Sequence, residues 1–326
     1  MKKVLIAILL LGLLPHASAD YIHWVDFRLS APVLRSALEL DMASQGGEQP
    51  LDWIDILALA AAWRGGTGVT VADTQRAAQA LRGDTPPERL PGMAGRYFSY
   101  YREAYGAALG GLAGHFAIRR TDPQTGEAEW IPAYGLKAFS PIAAGYPWLH
   151  YPDFGAQRSY GYARPHLGND ILGALGTPIC AVEGGTVEAL GWNRYGGWRI
   201  GIRSDDRKRY YYYAHLRKDT PYAEGLAVGQ RVQAGDVIGF MGRTGYSAQE
   251  NVNNIETVHL HFGLQLIFDE SQKECDSEIW IDVYPIIELL ASHCSSVARD
   301  PQTGRWERLY PYCDLDAEPL RSAAAR

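Results

Sequence analysis

The sequence predicts an α+β fold, with a small N-terminal helical bundle followed by a mainly antiparallel β domain. Three observations predict it. From Asp20 to about Phe116 the apolar residues recur at helical intervals. From Thr177 to Phe268 the texture changes to short apolar runs separated by glycine turns. Within that second region "VHLHFGL" (Val258 to Leu264) alternates. His259 and His261 therefore share one face of a strand, while Val258, Leu260 and Phe262 take the other.

The first element precedes the bundle. "MKKVLIAILLLGLLPHASA" joins two lysines to the apolar run Val4 to Leu14 and to Ala17-Ser18-Ala19, the layout of a cleaved export signal over residues 1–19. Eleven apolar residues fall short of the ~20 needed to span a bilayer, and no later segment approaches that length. The expectation is export to the periplasm or cell surface, with no stable membrane insertion after cleavage. Losing Lys2 and Lys3 takes the 31 basic residues to 29 against 37 acidic, a net charge of −8. With no basic run, this balance gives no sign of a nucleic-acid surface. Of the four cysteines, Cys180, Cys275, Cys294 and Cys313, no two form C-x-x-C, which argues against a thiolate metal site. Export permits disulfides, and four cysteines allow three full pairings; Cys180 within "TPICAV" reads as a buried free thiol.

Four helices are expected over 20–118. "APVLRSALELDMAS" carries the first. "PLDWIDILALAAAWRGG" opens on Pro50 and stops at Gly65-Gly66. "TVADTQRAAQALRGD" opens with a Thr70-x-x-Asp73 capping pattern. "RYFSYYREAYGAALGGLAGHF" makes the fourth. A connector follows over 119–153. It holds "RTDPQTGEAEW", a turn between strands whose near copy "RDPQTGRWER" recurs at Arg299 to Arg308. Strand candidates of the β domain (154–285) include "TVEALGWN", "GGWRIGIRSDD", "KRYYYYAHL" and "VHLHFGLQLIF". Two rings of the Tyr210 to Tyr213 run are expected to pack and two to face solvent or a cleft. The remainder (286–326) holds one short helix within "PIIELLASH" and a fraying end.

His259 and His261 need company to bind a metal. His166 opens "HLGND", with Asp170 four residues on and Gly168 between them to let the chain bend. Two histidines and a carboxylate form a three-ligand set suited to zinc, with a fourth position left for water. The order H-x-x-x-D, then "AHL" with His215, then H-x-H on a β-rich segment is specific.

From Phe154 to Leu266, about a third of the chain, the sequence resembles the lysostaphin-type (LytM-like) zinc metallopeptidases, which cut peptide stems or cross-links of bacterial cell walls. The pieces that carry the resemblance are "FGAQR", "HLGNDILGALGTPICAVEGGTVEALGW", "YYYYAHL", "GQRVQAGDVIGFMGRTGYS" and "HLHFGL". The resemblance implies one Zn2+ per chain held by His166, Asp170 and His261, with His215 and His259 as the unmetallated catalytic pair. It offers Tyr160 as an assisting tyrosine, and peptidoglycan peptide as substrate. Which of His215 and His259 is the general base stays open, as does the oligomeric state. "YSAQENVNNIETV" before His259 is longer than usual for the family and forms a polar loop beside the site. Three other readings remain: a catalytically silent wall-binding protein, a zinc peptidase acting on proteins, and a zymogen covered by its helical part or long loop.

Overall fold

The computed structural model describes residues 21–317 except 123, 160–161 and 274–276, so the segment expected to be an export signal and the last nine residues lie outside the described residues. Four helices come first: α1 (Ala31–Ser44), α2 (Trp53–Arg64), α3 (Val71–Leu81) and α4 (Met93–Leu109). Helix α2 is apolar on nearly every side and buried along most of its length, so it forms the centre of the bundle. It starts at Trp53 rather than Pro50, because the Asp52 carboxylate accepts the Ile54 amide at 2.7 Å and caps the helix there. It ends as the sequence suggests, on Gly65 at φ 64°. Helix α3 carries the reciprocal Thr70–Asp73 capping box. The fourth helix is shorter than its sequence suggests. It stops at Leu109 before Gly110-Gly111, where Glu183 lies so close to Gly111 that a side chain has no room.

Strand β1 (Ala113–Thr121) then pairs with β2 (Ala128–Leu136). The following strands are β3 (Trp148–His150), β4 (Gln157–Arg158), β5 (Arg164–Pro165), β6 (Asn169–Gly173), β7 (Pro178–Cys180), β8 (Gly185–Asn193) and β9 (Gly197–Ser204). After them come β10 (Arg209–Ala214), β11 (Arg231–Val232), β12 (Val237–Phe240), β13 (His259–Leu266) and β14 (Ile279–Trp280). Helix α5 (Tyr284–Leu290) and strands β15 (Val297–Arg299), β16 (Trp306–Arg308) and β17 (Tyr312–Asp314) complete the chain. The main sheet is antiparallel, in the order β11-β8-β9-β10-β13-β6-β3, with β14 beside β13. Strand β3 extends this sheet from within the expected connector.

The two "DPQTG" segments fold alike. The Oδ1 atoms of Asp122 and Asp300 each accept the amides two and three residues on. Gly126 and Gly304 close the turns at φ 73° and 74°. The C-terminal part does more than the sequence suggests, since β17 returns to pair with β1.

One face of the main sheet is core: Leu260, Phe262 and Leu264 on β13, Tyr211 and Tyr213 on β10, Ile200 and Ile202 on β9, all buried. This core runs on into α1, α2, α4 and α5 as one apolar cluster. At the junction the fully buried Arg209 guanidinium donates to the Ala107 carbonyl of α4 at 2.7 Å and to Glu183 at 2.7 and 3.1 Å. Cys180, Cys294 and Cys313 are free thiols, and burial pushes the Cys180 thiol up to about 12; Cys275 lies outside the described residues. Among the described residues no helix is long and apolar enough to cross a membrane.

Candidate metal centre and cleft

The other face of the sheet carries the polar residues. In antiparallel pairing, residues directly opposite share a face. His261 lies opposite Asp170 on β6 and opposite Ala214 on β10. Register alone thus sets His261 beside Asp170 and brings the end of β10 alongside. His166 joins them from the approach to β6. Gly168 is needed for this, because its hydrogen-only side leaves space for the His261 ring; a Cβ there would lie 2.7 Å from both His261 Cε1 and the Phe262 carbonyl.

His166 Nε2, Asp170 Oδ1 and His261 Nδ1 form a small triangle. Its edges are 2.8 Å (His166–His261), 3.0 Å (His166–Asp170) and 3.2 Å (His261–Asp170). A tetrahedral zinc with bonds of about 2.0–2.1 Å holds its ligand atoms about 3.3 Å apart. Two imidazole nitrogens and one carboxylate oxygen at this spacing fit that ion, and they are the group of described residues able to hold a metal.

The supports behind the triangle include two residues to which the sequence analysis gave no role. Asp153 accepts from His166 Nδ1 through its backbone carbonyl at 3.1 Å, with its carboxylate 3.2 Å away. That turns Nε2 into the site, where a metal would take the place of its proton. Arg158 donates to Asp153 Oδ2 and to Asp170 Oδ2, both at 2.9 Å, so Asp170 keeps Oδ1 for the site. Asn169 donates to Asp153 Oδ1 at 2.8 Å, and its own Oδ1 meets His150, which reaches Glu288 on α5 at 2.7 Å. "FGAQR" contains Arg158 and could have flagged it. Asp153 left no sequence signal, because its partners lie in three different segments.

His215 follows the last residue of β10 at φ 60°, a left-handed conformation that turns the chain out of the sheet and its ring toward β13. Its Nδ1–H donates to the Thr244 carbonyl at 2.9 Å, leaving the Nε2 lone pair for the site. His259 donates Nδ1–H to the Thr257 carbonyl at 2.9 Å, and its Nε2 lies 3.7 Å from Asp170 Oδ1. The two rings are 4.7 Å apart. All five residues singled out from sequence therefore meet in one place. Tyr160 lies outside the described residues; Tyr162 is exposed, 6.0 Å from the Tyr195 ring.

Environment sets the charges. Burial, and then the neighbouring imidazoles His259 and His261, hold His215 well below its ordinary value, so it is neutral near pH 7. Burial likewise lowers His261. Burial alone would lower His166, but the carboxylates of Asp153 and Asp170 outweigh it and raise it to about 9. Burial would raise Asp170, and its contacts with His166 and His261 hold it far below the usual carboxylate range instead.

The three residues of the triangle line a cleft of about 310 Å³. Tyr210 and Tyr212 line it while Tyr211 and Tyr213 pack in the core, so the tyrosine run divides as alternation predicts. Of the long loop before His259, Tyr246 reaches the cleft wall, 5.8 Å from the His215 ring. The rest of the loop is tied back: Asn251 accepts from Trp198 Nε1 at 2.9 Å and donates to Asp219 at 2.7 Å.

Residues 164–274 match Peptidase family M23. An L-Ala–D-Glu endopeptidase of Bacillus subtilis (strain 168) is 42% identical over 111 residues, 34% of this chain and 32% of that protein. Lysostaphin of Staphylococcus simulans is 37% identical over 98 residues, 30% of this chain and 17% of that protein. The chain thus spans about a third or less of the length of these relatives. A solved structure described as a putative glycyl-glycine endopeptidase lytM from Ruminococcus gnavus aligns with a TM-score of 0.48 at 24% identity, covering 82% of this chain and 91% of that one. The segment that carries the His/Asp/His triangle, the paired histidines and the floor of the cleft, residues 164–274, is thus the part of the chain that is similar to peptidase family M23.

Proposed function

We propose that this chain is an exported zinc-dependent endopeptidase that hydrolyses peptide bonds in peptidoglycan stems or cross-links. The observation that carries the reading is the triangle of His166 Nε2, Asp170 Oδ1 and His261 Nδ1 lining an open cleft, with two further imidazoles beside it. The name of one matched relative, an L-Ala–D-Glu endopeptidase, supports a peptide substrate of this class. The leader-like N-terminus supports export.

When bound, zinc supplies Lewis acidity: it polarises a carbonyl oxygen and lowers the pKa of a water to about 7. The chain's own residues do the rest. Arg158 and Asp153 fix the orientation of Asp170 and His166. His215 and His259 each present Nε2 with a free lone pair, because Nδ1–H is committed to a backbone carbonyl. One of them takes the proton of the attacking water and passes it to the leaving amine, and the other, when protonated on Nε2 as well, donates to the oxygen that gains charge. Burial keeps His215 neutral, which suits a proton acceptor.

The test is digestion of purified sacculi of known cross-link by the mature chain, with mass spectrometry of the released fragments. Cleavage of one bond type, abolished by a chelator and restored by zinc, is expected. Absence of metal-dependent cleavage on every wall type would favour a silent wall-binding role.

A further inference from the structure

Within the cleft, the Arg199 guanidinium has no acidic partner among the described residues. Tyr212 lies opposite Gly201 on β9, and Arg199 is two residues before Gly201, so Arg199 projects from the same face of the sheet as Tyr212 and His261. It lines the cleft together with them. Neighbouring cations are held by acids. Arg158 is paired with Asp153 and Asp170, Lys273 with Glu188 at 2.5 Å, and Arg203 with Glu188 and Glu270. The Arg199 guanidinium forms no ion pair with any described residue, and its Nε is buried without an acceptor. Of the carboxylates in the lining, Asp170 is held by Arg158 and Glu278 has Oε2 engaged by Trp280 Nε1 at 2.8 Å. Gly201 adds no side chain beside Arg199, and the Tyr210 ring and hydroxyl pack over it instead.

A buried guanidinium donor left unpaired is costly. Its planar fork of N–H donors matches a carboxylate through two parallel hydrogen bonds, whereas an amide offers a single uncharged acceptor oxygen. We propose that Arg199 is a specificity-determining residue that binds a free carboxylate of the substrate peptide, on the Tyr210–Tyr212 side of the metal centre. This rests on the endopeptidase reading above and narrows its substrate class. The preferred peptide carries a free carboxylate near the bond to be cut, as the glutamyl residue of an L-Ala–D-Glu peptide does, and a bridge made only of glycine does not.

Two synthetic peptides serve as probes. Both contain L-Ala–D-Glu; in one the glutamyl carboxylate outside the peptide chain is free, and in the other it is amidated. Binding to the zinc-free full chain is measured by calorimetry, and cleavage is measured separately on the zinc-loaded chain. The acid form should bind about tenfold or more tightly than the amide. Arg199→Gln should erase that preference while leaving the affinity for the amide within about twofold, and Arg199→Lys should restore part of it. The comparison of acid with amide on the unaltered chain needs no variant, so a misfolded Arg199→Gln protein does not shield the idea. Equal affinity for the two peptides, no measurable binding of either, or a preference that survives Arg199→Gln would overturn it. Failure of the zinc-loaded chain to cut either peptide, with the binding preference intact, would count against the endopeptidase reading and leave the carboxylate subsite standing.

Discussion

Residues on the floor of the cleft hold their chemistry through contacts a few ångströms behind them. His166 can present Nε2 to a metal because Asp153 fixes the proton on Nδ1, and Asp170 keeps Oδ1 available because Arg158 occupies Oδ2. Supports of this kind are typically worth about 10–100-fold in metal affinity. The backbone carbonyl of Asp153 survives substitution, so Asp153→Ala should fall toward the lower end of that range, about tenfold, measured by competition with a zinc chelator. An unchanged affinity would show that the backbone contact alone orients His166. His215 illustrates a different device. Its left-handed backbone is uncommon for a residue with a side chain, and it is stabilised by the His215 amide donating to the Gly196 carbonyl at 2.7 Å as well as by the Thr244 bond.

At the scale of elements, the clearest dependence on pH lies in β17. This strand holds to β1 by backbone pairing and by Lys137, whose Nζ lies 3.0 Å from both Asp314 and Asp316. Burial would raise the Asp316 pKa, but the contact with Lys137 wins and lowers it below 3.8. A depressed carboxylate pKa contributes stability that is present above the unfolded value and lost as pH falls through the folded value. The window is therefore acidic, below 3.8. Amides of residues 312–316 should exchange hydrogen faster than intrinsic rates explain as pH drops through that window, and Asp316→Asn should flatten the dependence. Asp316 is 40% exposed, so solvent screens the pair and the effect should stay local rather than unfold the chain.

For the whole molecule, the helical part is a structural partner of the β domain. No residue of α1 to α4 lines the cleft, and the apolar core is continuous across the junction. Arg209 is fully buried and relies on the carbonyls at the end of α4 for part of its hydrogen bonding. Removing residues 21 to about 112 would strip those acceptors from a buried charge and expose the face of α5 that packs on α1. Losing hydrogen bonds to a charged group costs about 1.5–3 kcal/mol each, and for a remaining chain of this size each kcal/mol is worth about 2–4 °C. The truncated protein should melt at least about 5 °C lower, by differential scanning calorimetry, and cut walls no faster than the full chain. A faster truncated enzyme would mean that the helices cover the site in solution.

The sequence by itself determined the class of fold and the residues of the candidate metal centre. The fold class was legible as local periodicity, and short spacing set the candidate histidines and carboxylate near one another, while the choice of His166, Asp170 and His261 as the ligand set came from the resemblance to the lysostaphin-type peptidases. Helical repeats mark α1 to α4, alternation puts His259 and His261 on one face, and the four-residue step from His166 to Asp170 is a bend around one glycine. The turn chemistry of the two "DPQTG" segments was legible for the same reason, since Asp and Gly act on their own neighbours. Only the tertiary structure decided the rest. The start of α2 at Asp52, the early end of α4 against Glu183, the return of β17 to β1, the support of His166 by Asp153 and the unpaired state of Arg199 all depend on what comes close in space. A chain fixes its near neighbours through backbone geometry, but which distant groups meet, and which cation is left without an acid, follows from how a single continuous core packs.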